Sequence, residues 1–231
     1  MCLVTYIPTT TGYIFSSNRD ESPSRNAHHI HKEQLDDRTI FFPMDTQGGS
    51  WIVISSDEVV GCILNGAFDL HDRKLPYRMS RGVMLKKMFE YNDVITFFSE
   101  FNFWEIEPFT LIIRDRTALF EFRWDGAKKY ITTPDPDKMH VWSSCTLYSH
   151  DVQIEREEKW RSLMQLVDLS SKDEVEAVHL YVDEEDLYNG LYMDREGMVQ
   201  TISHTQIIKS GDSMKMHYRN IIDDTYQIQG I

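Results

Sequence analysis

The sequence has 231 residues, of which 41% are hydrophobic and 12% aromatic, so it can build a substantial core and fits neither the disordered nor the fibrous class. Its formal net charge of −13 makes the average surface repel phosphate backbones and anionic lipid head groups. We therefore expect no nucleic-acid partner.

The first half of the chain contains short runs with β-type composition, each bounded by turn residues. We predict strands at residues 3–7, 13–17, 39–42, 51–55 and 59–64. Asp57-Glu58 and Gln47-Gly48-Gly49 have the composition of the intervening turns.

Helical periodicity begins after Ser80, where the apolar residues Met84, Leu85, Met88 and Phe89 fall on one side. We predict an amphipathic helix there and a second short helix from Asp93. Strand patterns return at residues 109–113, 118–124, 129–132 and 139–143.

The last third of the chain predicts two helices and a hairpin. Residues 151–167 carry apolar side chains at helical spacing, with Trp160, Leu163, Met164 and Val167 facing inward. Ser171 and Glu174 have the spacing of a capping box, so a further helix begins there. Two alternating runs, 198–208 and 213–218, are joined by Ser210-Gly211-Asp212 and predict a hairpin.

This order of elements predicts an α+β fold. The helices do not alternate singly with the strands, which disfavours a doubly wound parallel sheet and favours antiparallel sheets with helices in outer layers. Neither a linker composition nor an internal repeat interrupts the chain, so we expect one domain over residues 1–231.

Location and redox state follow from two further features. No apolar run approaches the roughly 20 residues that a membrane-spanning helix needs, and the start of the chain does not resemble a signal peptide. The three cysteines, Cys2, Cys62 and Cys145, are odd in number and lack C-x-x-C spacing. We expect no membrane span, a cytoplasmic location and at least one free thiol.

Cys2 has a special position because it directly follows the initiator methionine. If Met1 is removed, a thiol and a free α-amine share one Cα, which places a nucleophile and a base in one residue. A retained Met1 would convert that amine into an amide without basicity. Cys62 and Cys145 lie in apolar runs, where a cysteine is usually a small buried hydrophobe.

The segment Ser17-Asn18-Arg19-Asp20-Glu21 follows the first predicted hairpin. If the hairpin returns it beside Cys2, Asp20 orients the amine, while Arg19 favours the thiolate or holds a substrate carboxylate. The alternative is an ordinary solvated turn, the usual place for a run of charges.

These residues carry a resemblance to a known family. Met1-Cys2 followed by Asn18-Arg19-Asp20-Glu21 resembles the NRDE family, which includes the eukaryotic transport and Golgi organisation proteins. Three other motifs support the resemblance, and together they cover essentially the whole chain: Gly48-Gly49-Ser50-Trp51, Leu64-Asn65 and Ser80-Arg81-Gly82. The family is in turn similar to N-terminal nucleophile hydrolases of the choloylglycine hydrolase and penicillin acylase type, which cleave linear amide C–N bonds.

The resemblance implies a four-layer αββα sandwich and a set of site residues. It implies that Cys2 is the nucleophile, that Asp20 supports it and that Asn65 contacts the oxyanion, a role suited to an amide N–H. Asn65 before Gly66 is also a common turn signal. We add Arg19 to the catalytic candidates, and name Asn18, Ser144 and Trp51 as candidate substrate-binding residues.

The sequence departs from the hydrolase pattern at three places. Ser17 stands where those enzymes have an arginine, and Ser144 replaces a second asparagine after the 139–142 run. Thr201 and Ser203 lie on the late strand where related hydrolases place an arginine, so the sequence offers no late-strand cation.

Two interpretations are open for the histidines at positions 28, 29 and 31: a metal site, or an exposed loop. A third ligand at a supporting spacing is missing, so we predict no metal and no cofactor.

Two main functions remain open. The first is an N-terminal-cysteine amidohydrolase or acyltransferase that acts on a linear amide C–N bond of a small molecule. The second is a non-catalytic binding or carrier protein for haem or a lipid-like hydrophobic ligand, because members of the resembling family have been connected with haem handling and lipid metabolism. In the haem version, Cys2 and the early histidines are axial ligands. A structural protein with a relic pocket is the third possibility.

Overall fold

A computed structural model describes residues 3–231, and within them strands greatly outnumber helices. The strands are β1 (Leu3–Thr9), β2 (Gly12–Glu21), β3 (Ile30–Gln34), β4 (Thr39–Pro43), β5 (Ile52–Ser55), β6 (Val60–Asn65), β7 (Phe109–Arg114), β8 (Leu119–Trp124), β9 (Lys129–Thr132), β10 (His140–Ser143), β11 (Asp194–Arg195), β12 (Val199–Ser210), β13 (Ser213–Asn220) and β14 (Thr225–Gly230). The α-helices are α1 (Arg81–Met88), α2 (Val94–Glu100), α3 (His150–Met164) and α4 (Lys172–His179).

The strands of the described chain form two antiparallel sheets. The first sheet has the order β10-β1-β2-β12-β13-β14, with β11 paired to β12. The second has the order β3-β4-β5-β6-β7-β8-β9, so every neighbour pair in it is consecutive in sequence. Strand β1 therefore lies inside the first sheet, between β10 and β2, where Leu3 pairs with both Ser143 and Asn18.

The two sheets pack face to face, and the helices cover their outer faces. The core between the sheets joins Val4 and Phe15 of the first sheet to Ile54 and Leu111 of the second. A second cluster packs Leu3, Ile7 and Ile14 against Trp160 of α3 and Val175 of α4. Helix α1 covers the second sheet, since Met88 and Leu85 lie against Gly61 of β6. The predicted αββα order of layers is confirmed.

The predicted strands are all present, but three further strands were not predicted: β3, the two-residue β11, and β14. Strand β3 is mostly polar (Ile-His-Lys-Glu-Gln), and β14 is a short edge strand whose apolar residues Tyr226 and Ile228 are exposed. Strand β2 extends to Glu21, so the Asn18-Arg19-Asp20-Glu21 segment is strand rather than turn. Its first three residues are almost completely buried, which excludes the solvated-turn alternative.

The helix that the Ser171 capping signal predicts is present, and the other α-helices also begin at side-chain caps. Ser80, Asp93, Ser149 and Ser171 are N-caps whose side chains accept hydrogen bonds from backbone N–H groups of the first turn. No helix in residues 3–231 is both long enough and apolar enough to cross a membrane.

Candidate active site

The two faces of β2 have different surroundings. Strand alternation sends Phe15 into the core between the sheets and Ile14 toward the helices. Arg19 continues the inner face, and Asn18 and Asp20 continue the face beneath α3 and α4. The sequence predicts these three neighbours together beside Cys2, whereas strand alternation separates Arg19 from the other two.

The inner face leads to a cavity of about 470 Å³ at one end of the sandwich. Arg19 near the end of β2, Trp51 just before β5 and Asn65 at the end of β6 all line it, together with the start of α1 and residues 73–79. Its size is within the range of small-molecule sites. Its remaining charged groups are Glu21, Arg25, Asp45, Arg73, Arg81 and Glu107, of which only Glu21 and Arg81 belong to motifs that the sequence indicated.

Arg19 is held rigidly in the cavity wall. Its Nη2 lies 3.1 Å from Asp45 Oδ2, its Nη1 donates to the Arg25 carbonyl at 2.5 Å, and its guanidinium lies 4.2 Å from the Trp51 ring centroid. Arg25 also pairs with Asp45. Burial is the main influence on Arg19 and lowers its pKa, while Asp45 acts in the opposite direction. Asp45 therefore forms ion pairs with both Arg19 and Arg25.

The motif residues before β5 and at the start of α1 hold this wall together. Asp45 Oδ1 accepts the backbone N–H groups of Gln47 and Gly49, which closes the loop behind Arg19. Gly82 packs so closely that a Cβ there would lie 2.7 Å from the Ser50 carbonyl oxygen. The Gly48-Gly49-Ser50-Trp51 and Ser80-Arg81-Gly82 motifs are therefore two sides of one contact.

Glu107 forms ion pairs with several basic residues in another part of the cavity lining. Its carboxylate lies within 3.4 Å of His71, 3.2 Å of Arg73 and 3.3 Å of Arg81. Arg81 also donates to the Pro108 carbonyl, and burial lowers its pKa. Four arginines and three acids line the cavity, so the wall carries nearly balanced charge.

Asn65 and Ser144 meet at the edge of this cavity. The Ser144 hydroxyl donates to the Asn65 carbonyl at 2.9 Å. Asn65 is half-buried, and within residues 3–231 its side-chain amide has no hydrogen-bond partner. Gly66 has φ +82°, and a Cβ on it would lie 2.3 Å from Cys145 Sγ. The glycine thus allows β6 to end against the Ser144-Cys145 segment, rather than forming the hairpin turn that Asn-Gly indicates.

Asp20 lies on the other face of β2 and is buried there, with 3% exposure. The Thr201 hydroxyl donates to Oδ1 at 2.7 Å, and the Tyr148 hydroxyl donates to Oδ2 at 3.1 Å. Arg156 of α3 brings its Nη2 to 3.7 Å from Oδ2. The sequence offered no late-strand cation, and α3 supplies one instead.

Asn18 is completely buried beside two histidines, His179 of α4 and His204 of β12. Its Nδ2 donates to the carbonyls of His179 and Leu191, and its Oδ1 accepts from Nδ1 of His204 at 2.7 Å and of His179 at 3.3 Å. Thr5 donates to the other nitrogen of His179. Burial lowers the pKa of His204 to about 3 and that of His179 well below its usual value, so both rings are neutral.

The predicted site residues therefore fall into separate groups. Arg19, Trp51 and Asn65 line the cavity, and Ser144 lies directly behind Asn65. Asp20 and Asn18 lie on the helix side of β2, and the Asn18 amide is fully occupied by protein groups. Cys2 lies outside the described residues.

The other cysteines and the early histidines lie elsewhere. Burial raises the pKa of Cys62 to about 12 and also raises that of Cys145, so neither thiol is a ready nucleophile. His28 is exposed and pairs with Asp223, while the His29 and His31 rings stack with centroids 4.5 Å apart. The described residues contain no cluster suited to a metal ion.

Sequence reasoning missed Arg25, Asp45, Glu107, Tyr148 and Arg156. Only the glycines after Asp45 gave a local signal, because they mark a turn that an aspartate commonly closes. Arg156 sits at a helix position whose face is otherwise apolar, but a single charge among apolar residues did not indicate its burial.

Residues 1–218 match the sequence model of the family described as Transport and Golgi organisation 2. No curated protein matches the chain. Among solved structures, penicillin V acylase from Agrobacterium tumefaciens superposes with a TM-score of 0.61 at 8% identity, covering 100% of this chain and 86% of that one. Two variants of conjugated bile acid hydrolase from Clostridium perfringens give TM-scores of 0.54 and 0.53 at 9% identity, each covering at least 99% of this chain and 92% of theirs. These likenesses establish the fold.

Proposed function

The chain belongs to the Transport and Golgi organisation 2 family, and we propose that it is an N-terminal-cysteine amidohydrolase or acyltransferase acting on a linear amide of a small molecule. Two of its structural neighbours, by their names, act on penicillin V and on conjugated bile acids. The proposal extends the fold likeness to chemistry on the basis of this chain's own residues.

One observation carries the proposal: the start of β1 lies between the two groups of candidate residues. Leu3 pairs with Asn18 on one side, next to Arg19 and Asp20, and with Ser143 on the other, next to Ser144. Ser144 in turn bonds Asn65. Because one peptide bond joins position 2 to Leu3, a nucleophile there needs its partners at this end of the sheet, where these residues lie.

The proposed reaction needs Met1 to be removed. The α-amine of Cys2 takes the thiol proton, and the thiolate attacks the amide carbon to form a tetrahedral intermediate. Collapse breaks the C–N bond as the ammonium returns the proton to the leaving nitrogen. Water then hydrolyses the thioester, or an acceptor takes the acyl group in a transferase.

The described residues supply the supporting roles. Asn65, whose amide has no partner within residues 3–231, lines the cavity and is the candidate donor to the oxyanion. Asp20, fixed by Thr201 and Tyr148, is the candidate partner of the α-ammonium. Trp51 and Arg19 form the wall against which the substrate packs.

The proposal retains the cytoplasmic location that the sequence predicts. Cys62 and Cys145 are both free thiols, as is usual in a reducing compartment.

The test combines intact mass measurement with a Cys2→Ala variant. We expect the purified protein to lack Met1, and a limiting alkylating reagent to label Cys2 first, because Cys62 and Cys145 are buried with raised pKa values. With penicillin V and a conjugated bile acid as first probes, amine release by Cys2→Ala should fall at least about 1,000-fold.

Cys145→Ala is the matched control and should keep most of the activity. Undiminished activity in Cys2→Ala, or full retention of Met1 in an active protein, would contradict the proposal. Ligand binding without turnover would instead favour the carrier function.

A further inference from the structure

Helix α3 carries a buried arginine whose surroundings differ from those of the rest of the helix. Arg156 is only 4% exposed, whereas its neighbours Glu155 and Glu158 face solvent. Its Nη1 donates to the carbonyls of Asn189 and Gly190. Its Nε and Nη2 donate no hydrogen bond to any group in residues 3–231.

The guanidinium is fixed in orientation by an aromatic ring. It lies 4.0 Å from the ring centroid of Tyr148, and Arg195 lies 5.2 Å from the same centroid. The Tyr148 hydroxyl donates to Asp20 Oδ2, the oxygen that lies 3.7 Å from Arg156 Nη2. The tyrosine thus joins the cation and the carboxylate in one packed unit.

Charge balance makes Asp20 the significant neighbour. Within residues 3–231 it is the only carboxylate within 4.0 Å of the Arg156 guanidinium, and both side chains are at most 3% exposed. A buried charge without a nearby opposite charge is strongly unfavourable, so the Arg156 guanidinium depends on the Asp20 carboxylate.

We propose that Arg156 is a positioning residue of the site, which fixes Asp20 and balances its charge from the helical layer. The inference rests on the proposed function, in which Asp20 acts on the group at position 2. Arg156 itself acts through Asp20 and contacts no reacting atom. It supplies a cation near Asp20, whereas Ser17, Thr201 and Ser203 stand at positions where the resembling hydrolases have arginine.

The rival explanation is purely structural, since Arg156 also anchors the 189–190 segment to α3. The two roles differ in what they change. Loss of an anchor lowers stability, whereas loss of a positioning residue changes the pH dependence at position 2 and acts only while Asp20 is present.

The experiment compares Arg156→Met and Arg156→Lys with Arg161→Met, a control on the exposed side of the same helix, where Arg161 is 52% exposed. The first readout is the rate of Cys2 alkylation by iodoacetamide against pH, followed by mass spectrometry. Loss of the Arg156 charge makes the surroundings of Asp20 more negative and disfavours deprotonation at position 2, so the Arg156→Met profile should move up by about one pH unit. Arg156→Lys, which keeps the charge, should retain most of the wild-type profile.

The second readout is turnover of the amide probe that the wild type cleaves fastest. Arg156→Met should lower kcat about 100-fold and change KM less than about threefold. In an Asp20→Asn background, adding Arg156→Met should change kcat less than about threefold, because Arg156 acts through that carboxylate.

The outcomes separate this inference from the function on which it rests. If Cys2→Ala abolishes activity while Arg156→Met behaves like Arg161→Met, the inference is wrong and the function stands. If the wild type cleaves no amide, the pH profiles of Cys2 alkylation still test the positioning role. A shift in Arg156→Met that Arg161→Met does not show supports it, and superimposable profiles contradict it. If Arg156→Lys and Arg156→Met change the alkylation profile and kcat equally, Arg156 only anchors the 189–190 segment, and the positioning role is wrong.

Where Arg156→Met does not fold, Tyr148→Phe replaces it. This variant keeps the ring beneath the guanidinium and removes only the hydroxyl on Asp20 Oδ2. Together with Arg156→Lys it should shift the alkylation profile in the same direction by a smaller amount, and two unshifted profiles contradict the proposal.

Discussion

The two faces of β2 are both buried and both polar, but they are stabilised in different ways. On the helix side, Asn18 has every donor and acceptor of its amide engaged by His179, Leu191 and His204. On the cavity side, Arg19 shares Asp45 with a second arginine and borders open space. The Asn18 amide is thus enclosed in a complete hydrogen-bond network, whereas Arg19 keeps its charge beside the open cavity.

The difference shows that neighbouring motif residues need not share a function. Asn18 and Arg19 are adjacent in sequence, yet strand alternation encloses the first in a hydrogen-bond network and gives the second a place in the cavity wall. Changes at Asn18 should therefore mainly reduce stability, and changes at Arg19 should mainly reduce activity.

The largest expected effect on stability is that of Asn18→Ala. The substitution leaves two carbonyl groups and two imidazole N–H groups buried without partners, which should lower the free energy of unfolding by about 4 kcal/mol. Urea denaturation measures it, with the exposed Asn92→Ala as control. A loss below about 1 kcal/mol contradicts the closed network.

The second-largest effect on stability should come from low pH, through the buried histidines beside Asn18. The unfolded chain protonates histidine below about pH 6.5, whereas burial lowers the folded pKa of His204 to about 3 and that of His179 in the same direction. The unfolded state thus binds more protons, so stability is complete above about pH 6.5 and falls with pH at about 1.4 kcal/mol per unit for each ring.

Urea denaturation of the wild type and of His204→Gln between pH 7 and pH 5 tests this slope. The variant should lose about 2 kcal/mol less than the wild type over that interval. Parallel pH profiles would show that His204 is protonated equally in both states.

The smallest change in stability should come from Arg19→Met on the cavity side. Asp45 keeps Arg25 as its partner, so the free energy of unfolding should fall by only about 1–2 kcal/mol. Cleavage of the amide probe should nevertheless fall at least tenfold, on the order of 1.4 kcal/mol of transition-state stabilisation. If Arg19→Met costs more stability than Asn18→Ala, the contrast between the two faces is wrong.

Local signals predicted much of the architecture. Alternating runs predicted every strand inside the sheets, and helical periodicity, with the capping box at Ser171, predicted the helices, because these features depend on residues within a few positions. The edge strand β3 was not predicted because its side chains face too little core to require an apolar pattern.

The candidate site was only partly predictable. The resemblance named Asp20, Asn65 and Trp51, and the structure places all three at the end of the sandwich near the start of β1. It also led us to group Asn18 with Arg19, which the strand separates. The residues that support the named ones, such as Tyr148 and Asp45, belong to no motif in the chain.

The sequence by itself determined the layers, because the period of its apolar residues specifies which face of each element is buried. Only the tertiary structure decided which charges meet. Arg156 reaches Asp20 across a separation that no local pattern spans, and Glu107 pairs with His71 and Arg73 of one loop and with Arg81 of α1. Pairing of buried charges depends on distances between elements, and those distances are set when the sheets and helices pack.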